Sequence, residues 1–150
     1  QEKRKIEIDT PRFIEQIRSI LQQGEEKSVT FTVRGYSMRP FIEHTRDRVF
    51  LEKRDNYNVG DAVLAQISPG HYVLHRIIQK RSDGFVLQGD GNVKGVEFCR
   101  EEDVSGVVTQ YIRPNRIISA DNPRLVRRIK LWRKLRPIRR YLLFIYKTII

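Results

Sequence analysis

The sequence predicts a mainly β fold with a helix at its N-terminal end and a basic amphipathic helix at its C-terminal end. Three observations carry this: runs that alternate apolar and polar residues through the middle of the chain, a helical spacing near residues 11–23, and a tail in which apolar residues recur every three or four positions among arginines and lysines. The chain accordingly divides into an N-terminal helical segment (1–28), a β domain (29–121) and a basic amphipathic helical tail (122–150).

Thr10-Pro11 supplies an N-cap followed by proline at the first helical position, and Phe13, Ile14, Ile17, Ile20 and Leu21 then fall on one helical face before Gly24. A helix over about 11–23 could cover an edge of the β domain; alone it is too short for a helix-turn-helix unit. Val29-Thr30-Phe31-Thr32-Val33 alternates as a half-buried strand does. That strand should break at Gly35, and Pro40 stops regular structure soon after, which places Ser37 on a constrained turn at a strand end. His71-Tyr72-Val73-Leu74-His75-Arg76-Ile77-Ile78 reads as a second strand after the turn signal Ser68-Pro69-Gly70, with Val73, His75 and Ile77 on one face. Phe85-Val86-Leu87-Gln88 is a third, closed by the turn Gly89-Asp90-Gly91-Asn92.

The chemistry lies in pairing two of these segments. A serine hydroxyl is a weak nucleophile until a base takes its proton, and a histidine beside the core, kept neutral, is such a base. Taken separately, Ser37 reads as a solvated loop serine and His75 as a core-edge histidine. His44, in a polar stretch, and His71, at a strand entry, are expected to be exposed. Asp90 is the first candidate to orient His75, because a carboxylate accepting one ring N–H fixes the tautomer; the same residues also read as a plain hairpin turn. Asp61 is the second candidate, with a structural role expected first.

The 150 residues suit one domain with a real core, and valine and isoleucine are common enough to exclude general disorder. Cys99 is the only cysteine, so no internal disulfide forms, no clustered Cys/His set offers a metal site, and a buried structural thiol is expected. No organic cofactor is indicated either. Met38 is the only methionine and is internal, so the chain is expected to begin after its natural start, leaving room for a preceding signal or anchor.

In order along the chain, Ser37-Met38 with Pro40, Val59-Gly60-Asp61, His75-Arg76 and Gly89-Asp90-Gly91-Asn92 resemble the signal peptidase I and LexA-type serine peptidase superfamily over roughly residues 29–112. Histidine before arginine, where relatives of the bacterial type carry lysine, is most similar to the archaeal and endoplasmic-reticulum type signal peptidases. The resemblance implies an antiparallel β fold and a serine endopeptidase with Ser37 as nucleophile, His75 as general base and Asp90 in support. Gly35, Met38, Pro40, Arg76 and Gly89 would then serve as turn and structural support. Many signal peptidases have serine two positions before the nucleophile; here Gly35 stands there, so oxyanion stabilisation falls to backbone N–H groups, that of Ser37 first. No apolar run approaches the ~20 residues that cross a bilayer, which departs from classical preprotein processing and leaves a cytoplasmic or peripheral membrane location as the expectation.

The formal charge of +11 would suggest nucleic acid were it spread evenly, but it is not. After Asp121 there are ten basic residues and no acidic ones; removing these from 29 leaves 19 basic against 18 acidic residues elsewhere. The tail alone is cationic. Leu125, Ile129, Trp132, Leu135, Ile138, Leu142, Ile145 and Ile149 form its apolar stripe, and Pro137 should kink it or start a second helix. Two readings stay open: a helix lying in an anionic membrane surface, or a helix packed on its own domain with solvated arginines. Nucleic acid is the weaker third, since the aromatic residues follow the apolar stripe. The expected partner is a peptide or protein substrate. The rival classes are a noncatalytic binding module of the same fold and a basic membrane or nucleic-acid adaptor.

Overall fold

The computed structural model describes residues 28–149; the helix expected over 11–23 lies outside them. The described residues form a mainly β, antiparallel curled sheet followed by two helices. Its strands are β1 (Ser28–Thr32), β2 (Arg48–Glu52), β3 (Ala62–Ser68), β4 (His71–Arg81), β5 (Gly84–Gln88), β6 (Glu97–Cys99), β7 (Val104–Arg113) and β8 (Arg116–Ser119). They pair in the order β1-β2-β7-β3-β4-β5-β6, with β8 folded back on β7. The three strands read from the sequence correspond to β1, β4 and β5. β4 runs further than its alternation suggested because its outer end, Gln79–Arg81, pairs with β5 while its side chains face solvent.

Successive side chains on a strand point to opposite faces, and both faces of this sheet are covered. Ala62, Leu64, Tyr72 and Leu74 join one core with Phe31, Met38, Phe41, Val49 and Leu51; Val63, Ala65, Ile77, Phe85, Leu87 and Cys99 form a second on the opposite face. Cys99 is a buried free thiol, and burial, with Asp103 nearby, pushes its pKa up to about 12.

The tail closes the first core. In α1 (Pro123–Lys134) the Asn122 side chain accepts hydrogen bonds from the N–H groups of Arg124 and Leu125, with Pro123 in the first turn. Leu125, Ile129 and Trp132 are buried against the sheet, so this half packs on its own domain. The helix stops at Lys134, because Pro137 has no N–H and its ring would meet the carbonyl one turn back. A 3-10 turn, Arg136–Ile138, leads into α2 (Arg139–Ile149). That break splits the stripe: Leu142 and Leu143 still touch the core, whereas Ile138, Tyr141, Phe144, Ile145 and Ile149 are exposed. Trp132, a member of the apolar stripe, is buried, and so is Arg139, at 2% exposure.

Ile129→Ala should leave a cavity beneath α1 and cost about 2–5 kcal/mol, read as a lower urea midpoint with an unchanged slope. A tail held off the domain would show no such loss.

Candidate active site

The segment after β1 is a closed loop. Val33 donates its N–H to Asp47 O and accepts one from Thr45 N, so residues 34–46 return to their starting point. At Gly35, φ is +99°, a backbone region that side chains rarely adopt. Its N–H donates to His44 Nδ1 at 2.7 Å, and the His44 ring lies 4.6 Å from that of Tyr36. His44 is therefore half-buried and engaged rather than exposed as expected, because the loop folds it back over Gly35; His71 is exposed. Met38, 2% exposed, inserts into the core and draws the turn down on the sheet. Arg39 grips Glu43 through Nε and Nη2 at 2.7–3.1 Å, stacks on Tyr36 at 4.4 Å, and the Tyr146 hydroxyl donates to Glu43 at 3.0 Å. Burial opposes charge on Glu43, but the bonds from Arg39 and Tyr146 outweigh it and hold the carboxyl below its ordinary range.

This loop and β4 bring the two expected groups together: His75 Nε2 lies 3.2 Å from Ser37 Oγ. His75 is buried. Its Nδ1, to which the contact assigns the proton, donates to Glu97 Oε1 at 2.6 Å. The carboxylate behind the histidine is thus Glu97, where the sequence reading placed Asp90. Strand register explains why: Ile77 pairs with Leu87 and Leu87 with Glu97, so Glu97 in β6 shares the sheet face of Ile77 and His75. The available signal was the parity of Glu97 with the buried Cys99, two residues on.

Asp90 faces elsewhere. It is 2% exposed, and Arg76 reaches it at 2.9 Å through Nε and 2.6 Å through Nη2. Arg76 also donates to Gly60 O at 2.7 Å and lies within 3.4 Å of the Tyr111 hydroxyl. Burial opposes the charge on Arg76, but Asp90 and Tyr111 outweigh it and raise its pKa. His75 and Arg76 are consecutive and point to opposite faces, one towards Ser37 and the other towards Asp90. Gly60, at φ +100°, presents the carbonyl that Arg76 takes, and Asp61 accepts the Asn58 N–H, so the Val59-Gly60-Asp61 segment is structural.

The turn after β5 is a seat for Ser37. Gly91 N donates to Ser37 O at 2.7 Å. A Cβ at Gly89 would collide with Ser37 O and crowd His75 Nε2, and one at Gly91 would press on Tyr36 O. Among the described residues no group accepts the Ser37 N–H, while the Gly35 N–H is taken by His44. No group of three or more His, Cys, Asp or Glu suited to a metal ion occurs among the described residues. Chemically, a hydroxyl, an imidazole and a carboxylate in this series can deprotonate the hydroxyl and hold the resulting imidazolium.

No protein-family model matches the chain. No curated protein matches it significantly either.

Asp90→Asn should leave the Arg76 charge buried and unpaired, costing about 3–5 kcal/mol in denaturant unfolding, whereas Glu97→Gln, at the edge of the sheet, should cost no more than about 1 kcal/mol. The depressed Glu43 carboxyl sets a pH dependence. Its contribution is complete above the ordinary carboxylate range and is lost as pH falls through the lowered value. Glu43→Gln should therefore flatten the acid limb of a stability-against-pH curve and leave the neutral limb's shape unchanged.

Proposed function

We propose that this chain is a serine peptidase of the signal peptidase I and LexA-type superfamily, closest to its Ser-His branch, with Ser37 as nucleophile, His75 as general base and Glu97 as the orienting carboxylate. The observation that carries the reading is the series Ser37 Oγ, His75 Nε2, His75 Nδ1 and Glu97 Oε1, with contacts of 3.2 and 2.6 Å. Ser37 Oγ attacks the peptide carbonyl carbon as its proton passes to His75 Nε2, and the Ser37 N–H meets the developing oxyanion. Collapse expels the amine, which takes the proton from His75. Water, deprotonated by the same nitrogen, then hydrolyses the acyl-enzyme and restores Ser37. Cys99, buried with its pKa raised, is no competing nucleophile.

The substrate is a peptide or protein presented near an anionic membrane surface. Supporting this are the exposed Tyr141, Phe144, Ile145 and Ile149 of α2, with Arg140 and Lys147 beside them. Among the described residues no helix is long and apolar enough to cross a membrane, so contact through this part of the chain would be peripheral.

Cleavage of a diverse peptide library, located by mass spectrometry, tests the mechanism. Ser37→Ala and His75→Ala should each lower turnover by about 10⁴–10⁶-fold and Glu97→Gln by about 10⁴-fold, while Asp90→Asn should act through stability. Cleavage that persists in Ser37→Ala and His75→Ala would remove the dyad. A chain that binds peptides without cutting any would leave the noncatalytic module as the reading.

A further inference from the structure

Between the Ser37 loop and the start of α1 lies a cleft of about 640 Å³ lined by Arg113, Arg116, Arg124, Arg127 and Arg128, with Phe41 among its apolar residues. We propose that this cleft is a binding site for a phosphate-bearing ligand. No carboxylate lines it, and none of the five arginines makes an ion pair among the described residues. Five arginines elsewhere do have a carboxylate partner: Arg39 has Glu43, Arg46 has Asp47, Arg54 has Glu52, Arg76 has Asp90 and Arg81 has Asp83. The nearest acid in sequence, Asp121, accepts from Ser119 Oγ and lines a different cleft.

The residue type matters as much as the charge. All the cationic residues of the cleft are arginines, although Lys130 and Lys134 stand on the same helix. The guanidinium is a planar fork that meets two oxygens of one phosphate and remains charged at any physiological pH, whereas an ammonium is a point charge. Arg113 Nε is buried without a hydrogen-bond partner, while its Nη2 donates to Phe41 O at 3.2 Å. The end of α1 does not make the site, since Asn122 already caps the N–H groups of Arg124 and Leu125. Five positive charges exceed what a single carboxylate neutralises and suit a di- or polyanionic phosphate. The volume is that of a small-molecule site, and the apolar part suits a phosphate carried on an organic body. Such a ligand could be a soluble phosphate ester or a lipid headgroup.

The test is calorimetric titration of the full chain with inorganic pyrophosphate and with hexaglutamate, alongside flotation with phosphatidylglycerol vesicles. Two variants are compared: a cleft variant carrying Arg124→Ala, Arg127→Ala and Arg128→Ala, all exposed and so not expected to unfold the chain, and a control removing the same charge elsewhere through Lys130→Ala, Lys134→Ala and Arg136→Ala, also exposed and outside the cleft. Pyrophosphate binding should weaken at least tenfold in the cleft variant and less than threefold in the control. If vesicle binding falls in the cleft variant as well, the ligand is a lipid headgroup; if it does not, the ligand is a soluble phosphate. Equal losses in both variants would mean diffuse attraction and overturn the site. So would binding of neither pyrophosphate nor vesicles by the unaltered chain, or hexaglutamate binding as tightly as pyrophosphate.

Discussion

The ion pair between Arg76 and Asp90 is the contact on which the rest of this structure depends. Both side chains are essentially inaccessible, at 1% and 2% exposure, and each has further obligations. Arg76 spends its remaining donors on Gly60 O and Tyr111, and the Asp90 carbonyl accepts the Trp132 indole N–H at 2.8 Å. Burying two charges costs several kcal/mol each before their attraction offsets it, so such a pair adds little net stability. What it adds here is uniqueness. Neither partner can turn away without leaving a buried charge, so β4, the 89–92 turn, the strand entry at Gly60 and helix α1 have one mutual arrangement.

The geometry around Ser37 and His75 follows from that arrangement. With Arg76 fixed on one face of β4, the pleat sends His75 to the other, and the turn anchored by Asp90 is held where Gly91 meets the carbonyl of Ser37. Two glycines let the Tyr36–Ser37 backbone lie directly on that turn. The loop is also held from outside by Arg39, Glu43 and Tyr146. Preorganisation of this kind is what the proposed acyl transfer would need, because groups that must move as charge develops lose much of their stabilising effect.

Ser37 and His75 were legible in the sequence because the evidence for each is local: a strand, a glycine, a turn, an alternation. The role of Asp90 was not, since an aspartate in a turn looks the same whether it faces an imidazole or a guanidinium, and only the long-range placement of Arg76 decides. Glu97 escaped for a related reason. It belongs to a three-residue strand, too short for alternation to register, and its partner lies 22 residues away across β5. The tail was half legible: its periodicity gave the helices and the apolar stripe that carries Trp132, but left open which way that stripe faces and did not reveal that Arg139, off the stripe, turns inward.

Those two residues change what the tail is. Trp132 bonds the Asp90 carbonyl, and Arg139 donates to Gln88 Oε1 and Asn92 O, both at 3.1 Å, so together they clasp the turn on which Ser37 rests. Tyr146 reaches Glu43 in the Ser37 loop itself. Leu125 and Ile129 meanwhile cover the core that Met38 and Phe41 enter. A basic segment that looks detachable by composition is thus part of the support of the candidate site, and removing residues 122–150 would strip the turn of its donors and open the core beneath Ser37. Loss of function on such a truncation would not separate an adaptor from an enzyme. Only changes confined to side chains that face outward from α1 and α2 probe what the tail's charge does, because the fold has already committed the inward ones.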